Sequence, residues 1–548
     1  MVLFLKKNKF FLFFLFIVLF YALYYSPFGY EDTDNGFTLA QSWRIHQGEF
    51  PYKDFISVRP PISPILHSLI LFIVPDDLQM LFDRFFCYLL FGISALVATL
   101  ALFKNNWFDD LNINHFLFAT ISFIFSVHHF PPMAWHTVDA IFFASIGAYL
   151  LLVYTSISSV ILGILFLFLA ALCKQPFYIL PFLGVALIGY IHKDKRKLFV
   201  AFFTLLSCIG VFIGILYNSN ALSNFASYTF GATKLNDLIE AGFKSYTKIN
   251  FKELFTVAGI FILYNLIFSK RKIFANPGFI PYILVSVLLI VPLFDMCYQL
   301  FSGTLPDNYY FSDNAAKLFF VLAVVVLLSR VSLNQKWLTL FFLLAISWCA
   351  SISWGYQTPV LFSAPLLFGF LYSARVFFKT KNISALAMYT FLLGFISYFF
   401  AYQKPYRNPI RQELSHDISH LFPKMKHIRV GKFTKDKYTE LSFLVKKYGN
   451  NFTTLPGMPL VHFLTNTNSP IASDWPMNVE TGNQNNSILN ELKRKGVIVF
   501  VERQPITGIN ETDAPFNSTV AYNVTRSFNK IDSLTYFDVY KFDNRFNQ

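Results

Sequence analysis

The stretch "KKNKFFLFFLFIVLFYALYYSPFGYEDTDNG", residues 6–36, joins three materials. Lys6, Lys7 and Lys9 open it. An apolar run over about 10–26 follows, close to the roughly 20 residues that cross a bilayer core. Then Glu31, Asp32 and Asp34 crowd into one short turn. The leading lysines hold the N-terminus on the cytoplasmic side. Tyr21 to Tyr24 offers no small-residue cleavage site, so the run reads as an uncleaved anchor rather than a signal peptide. On this reading "GYEDTDNG" (29–36) lies outside.

The rest of the chain repeats the pattern. Of 548 residues 55% are hydrophobic and 14% charged. Soluble domains are nearer a quarter charged, so the class is a membrane protein. The net charge of +14 sits in short clusters between apolar runs. That arrangement reads as topology and excludes a nucleic-acid partner. Cys87, Cys173, Cys208, Cys297 and Cys349 all fall in or beside apolar runs, which disfavours a disulfide framework or a cysteine metal site.

After the first span the strong candidates are 80–103, 115–131, 139–154, 157–173, 176–191, 198–216, 254–268, 277–294, 316–330, 337–352, 358–376 and 383–402. With the first, this gives about thirteen transmembrane helices. The basic clusters 192–197, 270–272, 330–336 and 379–381 then all fall inside, as they should. An odd count leaves 403–548 outside. That tail is polar. Tyr438, Leu441, Leu444, Val445 and Tyr448 repeat at helical spacing, and Gly449 ends the run. A helix at about 486–495, a strand at 497–501 and a strand in "LTYFDVYKF" (534–542) complete a small α/β domain. The expected fold is therefore an α-helical polytopic membrane protein. Residues 1–402 form the membrane part, with a first external loop at 27–79, and 403–548 form an extracytoplasmic α/β domain. Pro60 to Val74 is too short to cross and suits a helix at the interface.

Several residues on the outer side carry chemistry. A helix begins near Phe37, and Asp32 or Asp34 is placed to cap it. Three carboxylates exceed the needs of one cap. They repel one another unless a metal, another cation or a proton compensates. Arg59, before Pro60-Pro61, reads as a snorkelling side chain or as a phosphate ligand. "FPPMAWHTVDAIFF" (130–143) puts His136 and Asp139 at the mouth of the fourth span, Asp139 as helix cap or as a functional acid. Lys174 in "AALCKQPFYILPF" (170–182) stands at an outer turn, away from the side where Lys accumulates. It is a snorkelling lysine or an anion ligand. His46, His128, His129 and His136 show no metal-binding spacing. Phosphate-binding Gly-rich loops and a serine-nucleophile elbow are missing from the sequence. An apolar interior behind outward cations fits a lipid-linked phosphate.

The loop resembles the first external loop of the integral-membrane GT-C glycosyltransferases, in the bacterial protein-mannosyltransferase and aminoarabinose-transferase branch. The acidic motif, "GEFPYKDF" (48–55), "RPPISPIL" (59–66), Asp139, the "KQP" turn and the external tail carry it. "SISWGYQTP" (351–359) is similar to some members but takes no assigned role. The resemblance implies a sugar transferred from a polyprenyl-phosphate donor to an extracytoplasmic glycan, lipid or protein hydroxyl, with inversion. It implies Asp34 as base, with Asp32 second, because Asn35 replaces the Glu usual beside that Asp. It also implies Arg59 and Lys174 on the donor phosphate. Asp139, Glu31 and His136 would hold a metal or position substrate, a divalent cation being the one cofactor admitted. The implied location is the bacterial inner membrane. A transporter or flippase of a lipid-linked sugar is the alternative reading of so many spans.

Overall fold

The computed structural model describes residues 8–247, 313–378 and 407–543, apart from gaps at 35, 110, 112, 128–132, 193, 232–234, 330–333, 354–357 and 504–517, with single residues between 378 and 407. It is mostly helical. In chain order the helices are α1 (Lys9–Tyr25), α2 (Phe37–His46), α3 (Ile62–Ile73), α4 (Gln79–Lys104), α5 (His115–Val127), α6 (His136–Val153), α7 (Ile157–Ala171), α8 (Ile179–His192) and α9 (Lys195–Asn218). They continue with α10 (Leu222–Gly231), α11 (Leu235–Thr247), α12 (Asp313–Ser329), α13 (Gln335–Ser351) and α14 (Ala364–Phe378). Helices occupy the expected spans that fall in the described residues. The expected spans 254–268, 277–294 and most of 383–402 lie outside them, as do His128, His129 and Cys297. Among the described residues three stretches, Asp76–Lys104, His136–Val153 and Lys195–Asn218, are long and apolar enough to cross a membrane by length and composition, against the about thirteen spans expected of the whole chain.

Small residues let these helices approach. A methyl group on Gly147 of α6 would sit 2.9 Å from the carbonyl oxygen of Gly163 in α7. Close backbone contact of this kind is how apolar helices gain packing when their surroundings are equally apolar. Pro60-Pro61 starts α3 as expected, and the helix stops at Ile73, too short to span.

The polar tail builds a four-stranded sheet in the order β3-β4-β6-β5, after a short ribbon of β1 (His416–Asp417) and β2 (Arg429–Val430). Here β3 is Phe452–Leu455, β4 Ile498–Glu502, β5 Asn529–Ser533 and β6 Phe537–Lys541. Strands β3 and β4 are parallel and the other pairs antiparallel. Every residue of β4 is buried, as a central strand covered on both faces requires. The expected helix ending at Gly449 is α15 (Lys432–Tyr448). Helices α16 (Val461–Thr465), α17 (Asn485–Lys495) and α18 (Thr519–Ser527) complete the tail.

The two faces of the sheet meet different partners. Val499, Val501 and Tyr540 pack with Ile488 and Leu492 of α17 and Val520 and Val524 of α18. Phe452, Phe500 and Val539 pack with Tyr438, Leu441 and Leu444 of α15. That second core also takes in Tyr30, Leu39, Ala40 and Trp43 from the first loop. Loop and tail therefore share one hydrophobic core. Backbone bonds join them too: Arg429 N–H donates to Pro27 O at 2.7 Å, and Gly29 N–H to Arg429 O at 3.0 Å. Gly29 is needed here. Its φ is +85°, and a methyl group would meet Pro405 at 3.1 Å.

Candidate active site

The acidic turn runs against the tail. Helix α2 begins after Gly36, which has no side chain to cap with, so the expected Asp cap is not what sets this helix start. Instead Asp32 is buried in an ion network. One oxygen accepts from Lys437 Nζ at 2.5 Å, the other from Tyr438 Oη at 2.6 Å. Lys437 also donates to Glu502 at 2.6 Å, and Glu502 accepts from Gly457 N–H at 2.8 Å. Burial works against the Lys437 charge, but Asp32 and Glu502 outweigh it and hold its pKa above the ordinary lysine range.

Glu31 and Asp34 share a different cation. Arg407 Nη1 lies 3.3 Å from Glu31 and 3.1 Å from Asp34, and 3.1 Å from the Thr33 hydroxyl. Glu31 is buried and also accepts from Thr33. Burial first, and Asp34 second, push its carboxyl up to about 7. The compensation that three crowded carboxylates demand is thus present: two tail cations, and a Glu31 carboxyl that takes up its proton more readily. Of the three, Asp34 is the one with a partly exposed side chain, at 26%.

Three residues further on, Phe37 opens α2 and organises the basic groups. Its ring stacks on His136 at 5.0 Å, nearly parallel, with Trp475 of the tail at 5.8 Å. The Arg59 guanidinium lies over the same ring at 4.4 Å. His136 Nδ1 is 3.1 Å from the Thr38 hydroxyl, while its Nε2 is buried without a hydrogen-bond partner among the described residues. Lys174 Nζ donates to Thr137 at 2.7 Å. Burial, then the nearby Arg59 charge, pulls this ammonium down to about 7. The "RPP" and "KQP" segments are in contact: Gln175 Nε2 donates to Val58 O at 2.6 Å, and Ile62 N–H to Leu172 O at 2.9 Å. Arg59 and Lys174, far apart in sequence, are therefore brought to one junction. Asp34 stands three residues before Phe37, a step that covers at most about 11 Å. The Arg59 head group is also paired with the tail, through two bonds to Glu480 at 2.6 and 2.7 Å.

Asp139 sits one turn into α6, which begins after Trp135, so its carboxylate does not cap the helix. It accepts from Ser63 and faces His67 Nε2 at 3.2 Å, while His67 Nδ1 is 2.6 Å from Asp83. This buried acid–imidazole–acid series ties α3 to α4 and α6. His67, Ser63 and Asp83 escaped the sequence reading. An ionisable residue within an apolar helix was the available signal. Arg407, Lys437, Glu480 and Trp475 escaped it too, and no local pattern marks them.

The residues expected to hold a divalent cation have partners within the protein. Asp139 is engaged by Ser63 and His67, Glu31 by Thr33 and Arg407, and His136 by Thr38. Among the described residues no three His, Cys, Asp or Glu side chains are grouped to hold a metal.

No family model and no curated protein matches the chain. A solved structure is similar to it from end to end. It is that of ArnT from Cupriavidus metallidurans in the apo state, at 12% identity over 98% of each chain, with a TM-score of 0.44.

Proposed function

We propose that this chain is a membrane glycosyltransferase that moves a sugar from a polyprenyl-phosphate donor to a hydroxyl on an extracytoplasmic glycan, lipid or protein. The helices of 1–402 form the membrane part and 403–548 the external part, with the N-terminus cytoplasmic. The observation that carries the reading is the junction at Phe37. Two cations from separate segments, Arg59 and Lys174, meet there beside apolar helices, and Asp34 lies three residues away with a partly exposed carboxylate.

In this reading Arg59 and Lys174 hold the donor phosphate and stabilise the charge that grows on it as the sugar departs. The acceptor oxygen attacks the anomeric carbon opposite the phosphate. The carbon–oxygen bond to phosphate breaks, its electron pair stays on the phosphate oxygen, and Asp34 accepts the hydroxyl proton. Inversion follows. Asp32 is a poor base by comparison, because Lys437 and Tyr438 occupy both of its oxygens. The counter-charge comes from the two basic side chains. Asp139 acts through His67 and Ser63 to fix the α3 helix that follows Arg59.

The test is transfer from a labelled polyprenyl-phosphate sugar by the purified full-length chain. The wild type should release polyprenyl phosphate and label an acceptor. Asp34→Asn should lose turnover by at least a hundredfold, the scale of general base catalysis, and keep donor binding. Lipid moved across a vesicle unchanged, with no release, would identify a flippase and overturn the proposal.

A further inference from the structure

Arg59 already holds an anion. The Glu480 carboxylate meets Nη1 at 2.6 Å and Nη2 at 2.7 Å, the forked geometry in which a guanidinium also grips a phosphate. Glu480 comes from the tail, in a segment of turns between α16 and α17. The segment is fixed at its start: Arg44 pairs with Asp474 at 3.3 Å, and Ser518 donates to Pro476 O at 2.5 Å. Beyond Pro476 it has no helix or strand until Asn485, and Asn478 and Val479 are exposed. It turns through Gly482 and Asn483, both at positive φ.

We infer that Glu480 is the resting counter-ion of Arg59 and that a phosphate monoester or diester exchanges with it, releasing the 477–484 segment from the junction. This rests on the donor-site reading above. The argument is competition for one fork. Arg59 presents two parallel N–H donors beyond the Phe37 ring, and both point at Glu480. A phosphate cannot take the same fork while the carboxylate occupies it. Neither can the two anions sit side by side on one guanidinium without repulsion, because the second cation, Lys174, holds its proton weakly. Leaving Arg59 unpaired between ligands would strand a half-buried charge beside His136, whose Nε2 already lacks a partner. An internal carboxylate meets that need and is small enough to leave. Donor occupancy is thereby coupled to the conformation of an external strap.

The experiment uses the full-length protein in nanodiscs with a long-chain polyprenyl phosphate as probe. Glu480→Gln should tighten probe binding by up to about tenfold, because the competent state no longer has to be freed from the carboxylate. Arg59→Gln should lose binding. Hydrogen exchange across 477–484 in the wild type should rise on adding the probe, and should not rise with the polyprenol that lacks the phosphate. If Arg59→Gln abolishes binding but Glu480→Gln leaves it unchanged or weaker, the pair is structural and the exchange is wrong while the donor site stands. If Arg59→Gln binds like the wild type, the donor site itself is wrong. Should Glu480→Gln fail to fold, the wild-type exchange decides: no rise with the probe, or an equal rise with the polyprenol, overturns the inference.

Discussion

Replacing Lys437 with Met removes one positive charge from between two buried carboxylates. Asp32 and Glu502 each lie against the Lys437 ammonium, at 2.5 and 2.6 Å, and all three side chains are at most 2% exposed. The two acids are therefore no more than 5.1 Å apart, the sum of those distances. At an effective dielectric of about 20, two like charges at that separation repel by roughly 3 kcal/mol. Breaking a buried pair by deleting one partner costs about 3–5 kcal/mol in general, so the two routes agree. For a unit of the tail's size this lowers Tm by roughly 10 °C. The loss should ease on acidification. Without the lysine both carboxyls are pushed above their unfolded pKa values. Their proton uptake stabilises the folded form as pH falls, and the penalty stands in full above the raised values. Thermal unfolding of the full-length protein, followed by tryptophan fluorescence between pH 5 and 8, reads both effects. Trp43 and Trp475 lie at the loop–tail contact and report its opening. Asp32→Asn combined with Lys437→Met should recover a good part of the loss. A Lys437→Met protein that melts with the wild type at pH 7 would refute the claim that this network holds the tail on the loop.

Two further outcomes follow from the junction. Binding of a polyprenyl-phosphodiester sugar, whose charge is constant near neutrality, should weaken as pH rises through about 7, where Lys174 loses its proton; Lys174→Arg should flatten that profile in a binding titration. Glu31 is raised from 4.5 to about 7, so its contribution to stability is complete below 4.5 and is lost as pH rises through 7, about 3 kcal/mol in all. Glu31→Gln should flatten unfolding measured over that window.

What could be read from the sequence follows from the range of each interaction. The helices along the chain were legible because apolar run length is a local property. So was α15, whose stripe and closing Gly449 lie within one segment, and so was β4, a continuous buried run. Lys174 stood out as a lysine at a turn read as external, and Arg59 as a guanidinium just before Pro60-Pro61. The partners of the acidic turn could not be read. Lys437 reaches Asp32 across 405 residues and Arg407 reaches Glu31 across 376. Lysines and arginines are ordinary in a polar tail, and nothing near them in sequence marks which one meets a carboxylate. The same holds for Glu480, one of two acids in its loop, with Asp474. His67 and Asp83 were readable in principle, as ionisable groups inside apolar helices, but their meaning lies in their facing each other and Asp139 across three helices.

The acidic turn looked like a single site and is three. Asp32 is sealed by Lys437 and Tyr438 and works as a rivet between loop and tail. Glu31 is buried, its carboxyl pushed up to about 7, and it shares Arg407 with its neighbour. Asp34 keeps a partly exposed side chain. A general base needs that access to a hydroxyl. Lys437 pairs with Asp32, and Arg407 lies against both Glu31 and Asp34. The clustering that appears wasteful in sequence is then a division of labour. Two of the three carboxylates fix the tail in place, and the tail in turn supplies the guanidinium that pairs with the third. The tail is consequently part of the site rather than an appendage to it, and removing it should abolish transfer even though every proposed catalytic residue lies before residue 403.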